Sequence, residues 1–296
     1  MGLSKYEIFN KVIQLGSLTA AAKALGCTQS AVSHAINALE AEAGLTLIIR
    51  NRSGVKLTPD GLQLLPALQG IGQALSAYEE TLNQIHGLEQ GQVNIGAFTS
   101  VAVHWLPGMI KTYQAKHPKT EIRLQNGDYH DIAQWFEKGN IDIGFVTEKT
   151  NLPGYAYLPL KEDPLLIVLP KNHPLAGHEE IPVQALAGEP FISLLETSDQ
   201  DARGVLEQAG VWVDVKFTTK DDYAIIAMVE QGLGISIMPE LLLAGRCEGL
   251  ALARITGGKS RTIGLAISPA GQKSPSAKSF ADHVVQWIKE RYCPED

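Results

Sequence analysis

The stretch GSLTAAAKALGCTQSAVSHAINALE, residues 16–40, constrains this chain more than any other. It is rich in alanine and nearly free of charge. Small side chains bury little apolar area, so such a run does not build a large core. It lets two helices approach closely and leaves small polar groups outside. Leu18, Ala21, Ala22 and Leu25 fall at i, i+3, i+4, i+7 and predict one face of a short helix, with Ser17 as its N-cap. Gly26 ends that helix, because glycine tolerates the left-handed conformation. Thr28 caps the next helix, whose apolar face is Val32, Ala35, Ile36 and Leu39. The opposite stripe, Ser30, Ser33, His34 and Asn37, keeps the same spacing. Upstream, Phe9, Val12 and Ile13 share one face of a first helix.

Three short helices with a tight glycine-containing turn between the second and third describe a helix-turn-helix. Its third helix can enter a major groove, with Thr28, Gln29, Ser30, Ser33, His34 and Asn37 as candidate base or phosphate contacts. From pattern alone, the same stripe also fits the solvated face of a small three-helix bundle. Downstream, LTLIIRNRSGVKLT predicts two short strands around Asn51–Gly54. Arg50, Arg52 and Lys56 lie on this hairpin, which reads as a wing that holds phosphates or reaches a minor groove. The net charge of −7 looks wrong for a nucleic-acid binder, but its distribution does not. Residues 1–58 hold six basic groups against three acidic ones, +3, which leaves −10 for the remainder. A mildly basic module is joined to a larger acidic one.

The run GSLTAAAKALGCTQSAVSHAINALEAEAGLTLIIRNRSGVKLTPDG closely resembles the N-terminal signature of LysR-type transcriptional regulators. The matching pieces are Gly16-Ser17, Thr19-Ala20-Ala21-Ala22, Gln29, Ala31-Val32-Ser33, Ile36, Leu39-Glu40, Gly44, Leu47, Arg50, and Leu57-Thr58 with Gly61. The chain departs from the family pattern at Ser30, where Pro is frequent, at His34, where Arg or Lys is, and at Ile48, where Phe is usual. The first two lie on the expected reading face, so half-site preference does not transfer.

Beyond the wing, Leu64, Leu68, Ile71, Leu75, Tyr78, Leu82 and Ile85 are spaced 4, 3, 4, 3, 4, 3, an a/d heptad pattern. Such a stripe can bury against its own domain, but the strict 3.5-residue period favours a partner helix. A homodimer would set two recognition helices about one DNA turn apart, to match a pseudo-palindromic double-stranded site. The family resemblance implies the same linker helix and dimer, and further implies a homotetramer. Gly87 to Gly91 reads as a hinge.

From residue 92, strands and helices alternate. VNIGAF, EIRLQN, IDIGFV, LLIVL, FISLL, VKFT, GISIMP and IGLAI read as strands, and a final helix carries Phe280, Val284, Trp287 and Ile288. This predicts an α/β domain large enough for two lobes. Ligands in open α/β sheets sit beyond the carboxyl ends of strands. Hydroxyls cluster at four such junctions: Thr99 and Ser100, Thr147, Thr197 and Ser198, and Thr218 and Thr219. Each can cap a helix; together they suggest a cleft for a polar effector, with small carboxylates and other anions as candidates. The LysR resemblance extends here, more loosely, through LPGMIKTYQAKHP, EIRLQNGD, GNIDIGF and MVEQGLGISIMP. It implies a two-lobed, periplasmic-binding-protein-like domain with Thr99, Ser100, Thr147, Thr197, Ser198 and Thr219 as effector contacts. The crossings would fall near Glu162-Asp163-Pro164 and near Ala266 to Pro269.

The expected fold is therefore mixed: an N-terminal all-α winged helix-turn-helix over 1–58, a linker and dimerisation helix over 59–88, and an α/β effector domain over 92–296. Lobe I would comprise 92–162 and 267–296, and lobe II 163–266. No G-x-S-x-G, H-E-x-x-H or phosphate loop suggests an enzyme. Asp128, His130 and Asp131, with His104 and His117, match no metal template, so neither metal nor cofactor is expected. Cys27, Cys247 and Cys293 read as free thiols. No apolar run is long enough to span a bilayer, and the N-terminus is too polar for a signal peptide, so a cytoplasmic location is expected. The expected function is a DNA-binding regulator controlled by a small molecule, with RNA polymerase as a further candidate partner. The competing class is a periplasmic-type binding protein or enzyme with an accessory helical domain.

Overall fold

Side-chain spacing and glycine placement shape the first module. A computed structural model describes residues 4–51, 54–85, 91–150, 152, 154–195 and 201–292. Helices α1 (Lys5–Leu15), α2 (Leu18–Ala24) and α3 (Gln29–Ala43) are followed by the hairpin β1 (Ile48–Asn51) and β2 (Gly54–Leu57) and the long helix α4 (Pro59–Ile85). Ser17 accepts the Ala20 N–H and Thr28 accepts the Ala31 N–H, so both hydroxyls cap their helices. Gly16 and Gly26 adopt φ of 62° and 64°, which ends α1 and α2 sharply. Phe9, Val12, Ala21, Val32, Ile36, Leu39 and Leu47 form the buried core. The hairpin is held against α1 by Val55 N–H to Gly16 O at 2.8 Å. A Cβ at Gly54 would lie 2.6 Å from that same carbonyl, so only glycine fits there.

The heptad stripe does not act as one seam. Leu68 is buried, and Leu64 half-buried, against the winged-helix core, because the first turns of α4 pack on α1. Leu75 and Leu82 are half-buried. Ile71, Tyr78 and Ile85, spaced by seven, remain exposed. Other α4 positions contact the C-terminal domain: Glu80 accepts from Ser274 Oγ at 2.6 Å and from the Ser276 N–H at 3.0 Å. The expected hinge segment 87–90 lies outside the described residues.

The C-terminal domain runs β3 (Gly91–Ala97), α5 (Thr99–His104), α6 (Leu106–Lys116), β4 (Thr120–Asn126), α7 (Tyr129–Glu137), β5 (Ile143–Thr147), β6 (Ala156–Pro170), β7 (Glu180–Ile181), β8 (Pro190–Leu194), α8 (Asp201–Ala209), β9 (Asp214–Thr219), α9 (Asp222–Glu230), β10 (Ser236–Pro239), α10 (Glu240–Leu243), β11 (Leu250–Ile255), β12 (Ser260–Ile267) and α11 (Pro275–Tyr292). Lobe I has the strand order β4-β3-β5-β12-β6, and lobe II continues from β6 through β11 to β7, with β10 on the other side of β6. Strand β6 serves both lobes. Its register passes from Pro164 opposite Ser260 to Leu165 opposite Pro239. In its second half, Leu165, Ile167 and Leu169 face one core and Leu166 and Val168 another, the two-sided burial expected of a central strand.

The second crossing differs from expectation. Strand β12 pairs with β5, Ile263 opposite Thr147, and with β6, Thr262 opposite Glu162. The chain therefore returns to lobe I at Lys259–Ser260, where Lys259 O accepts the Leu165 N–H at 2.8 Å, and not at Ala266–Pro269. Residues 260–266 belong to lobe I. Local pattern identifies a strand but not its partners, which here lie 96 to 124 positions upstream. No helix among the described residues is long and apolar enough to cross a membrane.

Candidate functional site

The exposed face of α3 carries Gln29, Ser30, His34 and Asn37, with Ser33 half-buried beside them. Thr28 is occupied as the cap. The wing reaches back to this face: Arg50 donates from Nη1 to Ser33 Oγ at 2.9 Å and from Nη2 to Asn37 Oδ1 at 2.8 Å. Three expected contacts are thus one bonded group, and Arg50 keeps further N–H donors for a phosphate. Lys56 is exposed nearby in β2. Glu40 Oε1 accepts the Leu47 and Ile48 N–H groups at 2.7 and 3.1 Å, which ties α3 to the start of β1. Arg52 lies outside the described residues.

Between the lobes lies a cavity of about 270 Å³. Of the expected effector contacts, Thr99 and Ser100 line it. Thr147 does not: it is buried at the end of β5, and its N–H bonds Thr150 Oγ1. Thr219 does not either; its hydroxyl accepts the Asp221 N–H in a local turn, and Lys220 faces the cavity instead. Thr197 and Ser198 lie outside the described residues.

The centre of the cleft is an ionic cluster that sequence reading missed. Arg261 of β12 is 4% exposed. It donates from Nε and Nη2 to Asp163 Oδ2 at 3.0 and 2.7 Å, from Nη2 to Ser100 Oγ at 2.8 Å, and from Nη1 to Tyr129 OH at 2.6 Å and Asp201 Oδ2 at 3.4 Å. Tyr129 OH donates to Asp201 Oδ2 at 2.7 Å, and Lys149 Nζ to Asp201 Oδ1 at 3.3 Å. The Phe98 ring lies 4.8 Å from the guanidinium and meets the Tyr129 ring edge-on at 5.3 Å. Burial pushes the Tyr129 hydroxyl well above its ordinary value, and the Asp201 charge adds to this against Arg261, so Tyr129 stays protonated. Burial opposes the charge on Arg261, but the carboxylates of Asp163 and Asp201 outweigh it and hold the guanidinium charged. Asp128 and Asp131 form the capping box of α7 at the cavity wall. Among the described residues, no three His, Cys, Asp or Glu side chains are placed to hold a metal ion.

Residues 86–289 match the LysR substrate binding domain, and residues 3–62 match the bacterial regulatory helix-turn-helix protein, lysR family. The chain belongs to the LysR family. It is a DNA-binding transcriptional regulator controlled through a small-molecule-binding domain. Among LysR relatives, the uncharacterized HTH-type transcriptional regulator YvbU of Bacillus subtilis (strain 168) is 32% identical over 285 residues, 95% of this chain and 97% of its own. A full-length OxyR variant from Pseudomonas aeruginosa superposes with a TM-score of 0.74 at 19% identity, covering 96% of this chain and 95% of that one. The effector binding domain of QuiR in complex with shikimate gives 0.63 at 22% identity, over 69% of this chain and all but 1% of that one, whose coverage is 99%. At these identities the structural likeness is one of fold.

In this LysR regulator the cluster draws on five segments, through Ser100, Tyr129, Asp163, Asp201 and Arg261. Ser100 was among the expected contacts; the other four were missed, because a search for hydroxyls beside helix starts passes over a tyrosine and the charges. One signal was present: Asp163 sits in the segment read as a lobe crossing, and a carboxylate beside a crossing strand invites a search for its cation. Arg261 stayed hidden because the second crossing was placed several residues downstream.

Proposed function

We propose that this LysR regulator binds a pseudo-palindromic double-stranded DNA site as a homodimer in the cytoplasm, and that a small polar effector in the inter-lobe cleft controls it. Gln29, Ser30, His34 and Asn37 meet base edges or phosphates, and Arg50 and Lys56 hold the backbone. The exposed stripe Ile71, Tyr78 and Ile85 supports helix-to-helix dimerisation, and two such dimers would form the tetramer.

One observation carries the effector reading. Both lobes deliver polar side chains to one cavity, Ser100, Tyr129 and Arg261 from lobe I and Asp201 from lobe II, and the lobe I groups become the donors an anionic group needs once their internal acceptor leaves. Lys220 adds a cation at the wall. The QuiR domain holds shikimate on the same fold, which supports a hydroxylated or carboxylate compound of similar size. The test is a thermal-shift screen of small metabolites, followed by binding to DNA upstream of the protein's own gene. A compound at 100 times its Kd adds about 2.7 kcal/mol of stability. Its shift should vanish in Thr99→Trp, which fills the cavity. A shift that persists in Thr99→Trp places the effector elsewhere.

A further inference from the structure

The two acidic partners of Arg261 are not equivalent. Asp163 makes two contacts to the guanidinium, at 3.0 and 2.7 Å, and its other oxygen accepts the Leu241 N–H at 2.8 Å. Its side chain is 3% exposed. It is a fixed counter-ion. Asp201 lies 3.4 Å from Arg261, its side chain is 12% exposed, and it lines the cavity. It also belongs to the other lobe: α8 packs through Ala202, Val205 and Leu206 on the lobe II core. The three donors that converge on its carboxylate, from Tyr129, Lys149 and Arg261, all come from lobe I.

We infer that Asp201 is a built-in occupant of the cleft's anion seat, and that the effector is a small carboxylate that takes its place. This rests on the cleft being the effector site. Three arguments support it. First, five hydrogen bonds account for all five N–H groups of Arg261, so an incoming anion finds no free donor there until an internal acceptor leaves. Second, charge selects the ligand. Within the buried cluster Arg261 and Lys149 balance Asp163 and Asp201, while the cavity wall adds Lys220 against Asp128, Asp131 and Asp222. A carboxylate that enters as Asp201 leaves preserves this balance. A cation would sit beside a buried guanidinium, and an anion added without exchange would be a third negative charge in the same cluster. Third, geometry gives the exchange a consequence. Asp201 joins lobe II to three groups of lobe I, so its release frees the lobes to shift. The effector thereby replaces a contact within the chain, and its apparent affinity is reduced by the fraction of time the seat is filled.

The experiment uses the full-length protein and Asp201→Asn, which removes the internal charge and keeps the size. Acetate, acetamide and methylammonium are titrated at constant ionic strength, with chloride as the balancing anion. Binding is read by intrinsic fluorescence and thermal shift, and far-ultraviolet circular dichroism with a cooperative melting transition checks that the variant is folded. Asp201→Asn should bind acetate at least tenfold more tightly than the parent and bind acetamide equally. Asp201→Ser should show the same gain, and Asp201→Glu none. If Asp201→Asn fails to fold, Asp201→Ser decides. Unchanged or weakened acetate binding in the folded variants overturns the seat. Methylammonium binding that Asp201→Asn abolishes also overturns it, yet leaves the cleft an effector site of the opposite charge preference. No response to any probe in either protein removes both readings.

Discussion

Gln73 Nε2 donates to the Gly139 carbonyl at 3.4 Å, just past the end of α7, while Tyr129 at the other end of α7 holds Asp201 in the cleft. Gln69 bonds the neighbouring Lys138 carbonyl in the same way. Helix α7 has nine residues, so it bridges roughly 13 Å between the cleft and the linker helix. Because Glu80 pins α4 to the start of α11, movement at Gln69 and Gln73 would turn α4 about a fixed point. Replacing Gln69 and Gln73 with Ala should therefore leave effector affinity unchanged and shrink the effector's influence on DNA affinity. Fluorescence anisotropy with and without effector measures this. An undiminished influence would rule α7 out as the connection.

Arg50 binds Ser33 and Asn37 while it faces the expected DNA side. Arg50→Ala should weaken DNA binding on all sequences and reduce the salt slope by about 1, the loss of one phosphate contact. It should also relax base preference, because Ser33 and Asn37 lose their shared anchor. Lys56→Ala should give the same change in slope with base preference intact. Salt titrations on the operator and on scrambled DNA separate the two; a common outcome for both variants would show that the Arg50 anchor does not shape the reading face.

How much of this was legible beforehand depends on the distance over which residues act. The caps Ser17 and Thr28, the turn at Gly26 and the hairpin around Asn51 are decided within four or five residues, and the structure places them as the pattern predicts. Thr147 and Thr219 misled because a hydroxyl at a strand end satisfies a local turn as readily as a ligand. Leu68 misled because 3.5-residue spacing does not say which apolar surface a helix meets first. The Arg261 cluster was invisible for the opposite reason. Asp163 and Arg261 are 98 residues apart, and only the β6–β12 pairing brings them together.

The exposed residues Ile71, Tyr78 and Ile85 lie one heptad apart on α4. Ile71→Asp combined with Tyr78→Asp should dissociate dimers in sedimentation velocity and weaken DNA binding, with the melting temperature of the monomer little changed. By contrast, Leu68→Asp should unfold the winged-helix module, since Leu68 sits in its core. A protein that remains dimeric with both exposed positions charged does not dimerise through this stripe.

His283 joins α6 to α11 through Met109 O at 3.1 Å and Thr112 Oγ1 at 2.9 Å. Burial lowers its pKa from the ordinary 6.5, and the nearby Lys116 and His117 act in the same direction, against the Met109 carbonyl and Glu290. The folded chain therefore binds this proton less readily than the unfolded chain. Its contribution is fully present above about pH 6.5 and is lost as pH falls through that value toward the folded pKa. His283→Gln should flatten the dependence of melting temperature on pH between about 7.5 and 5.5, a window set by the ordinary histidine value. An unchanged slope in the variant would assign the acid sensitivity to other groups.

Asp163 and Asp201 share Arg261 but differ in burial and in the length of their contacts, and stability should separate them. Removing one partner of a buried ion pair costs about 3–5 kcal/mol, because the remaining charge is left buried and uncompensated. Asp163→Asn leaves Arg261 facing only the longer Asp201 contact, so it should fall in that range and lower the melting temperature by roughly 6–20 °C for a domain of this size. Asp201→Asn removes the more exposed acid, and Asp163 still neutralises the guanidinium. Its melting temperature should fall by less than half as much. The ordering is the measurement that matters: equal losses would make the two carboxylates equivalent supports of the fold, and an exchangeable Asp201 would then have no basis in stability.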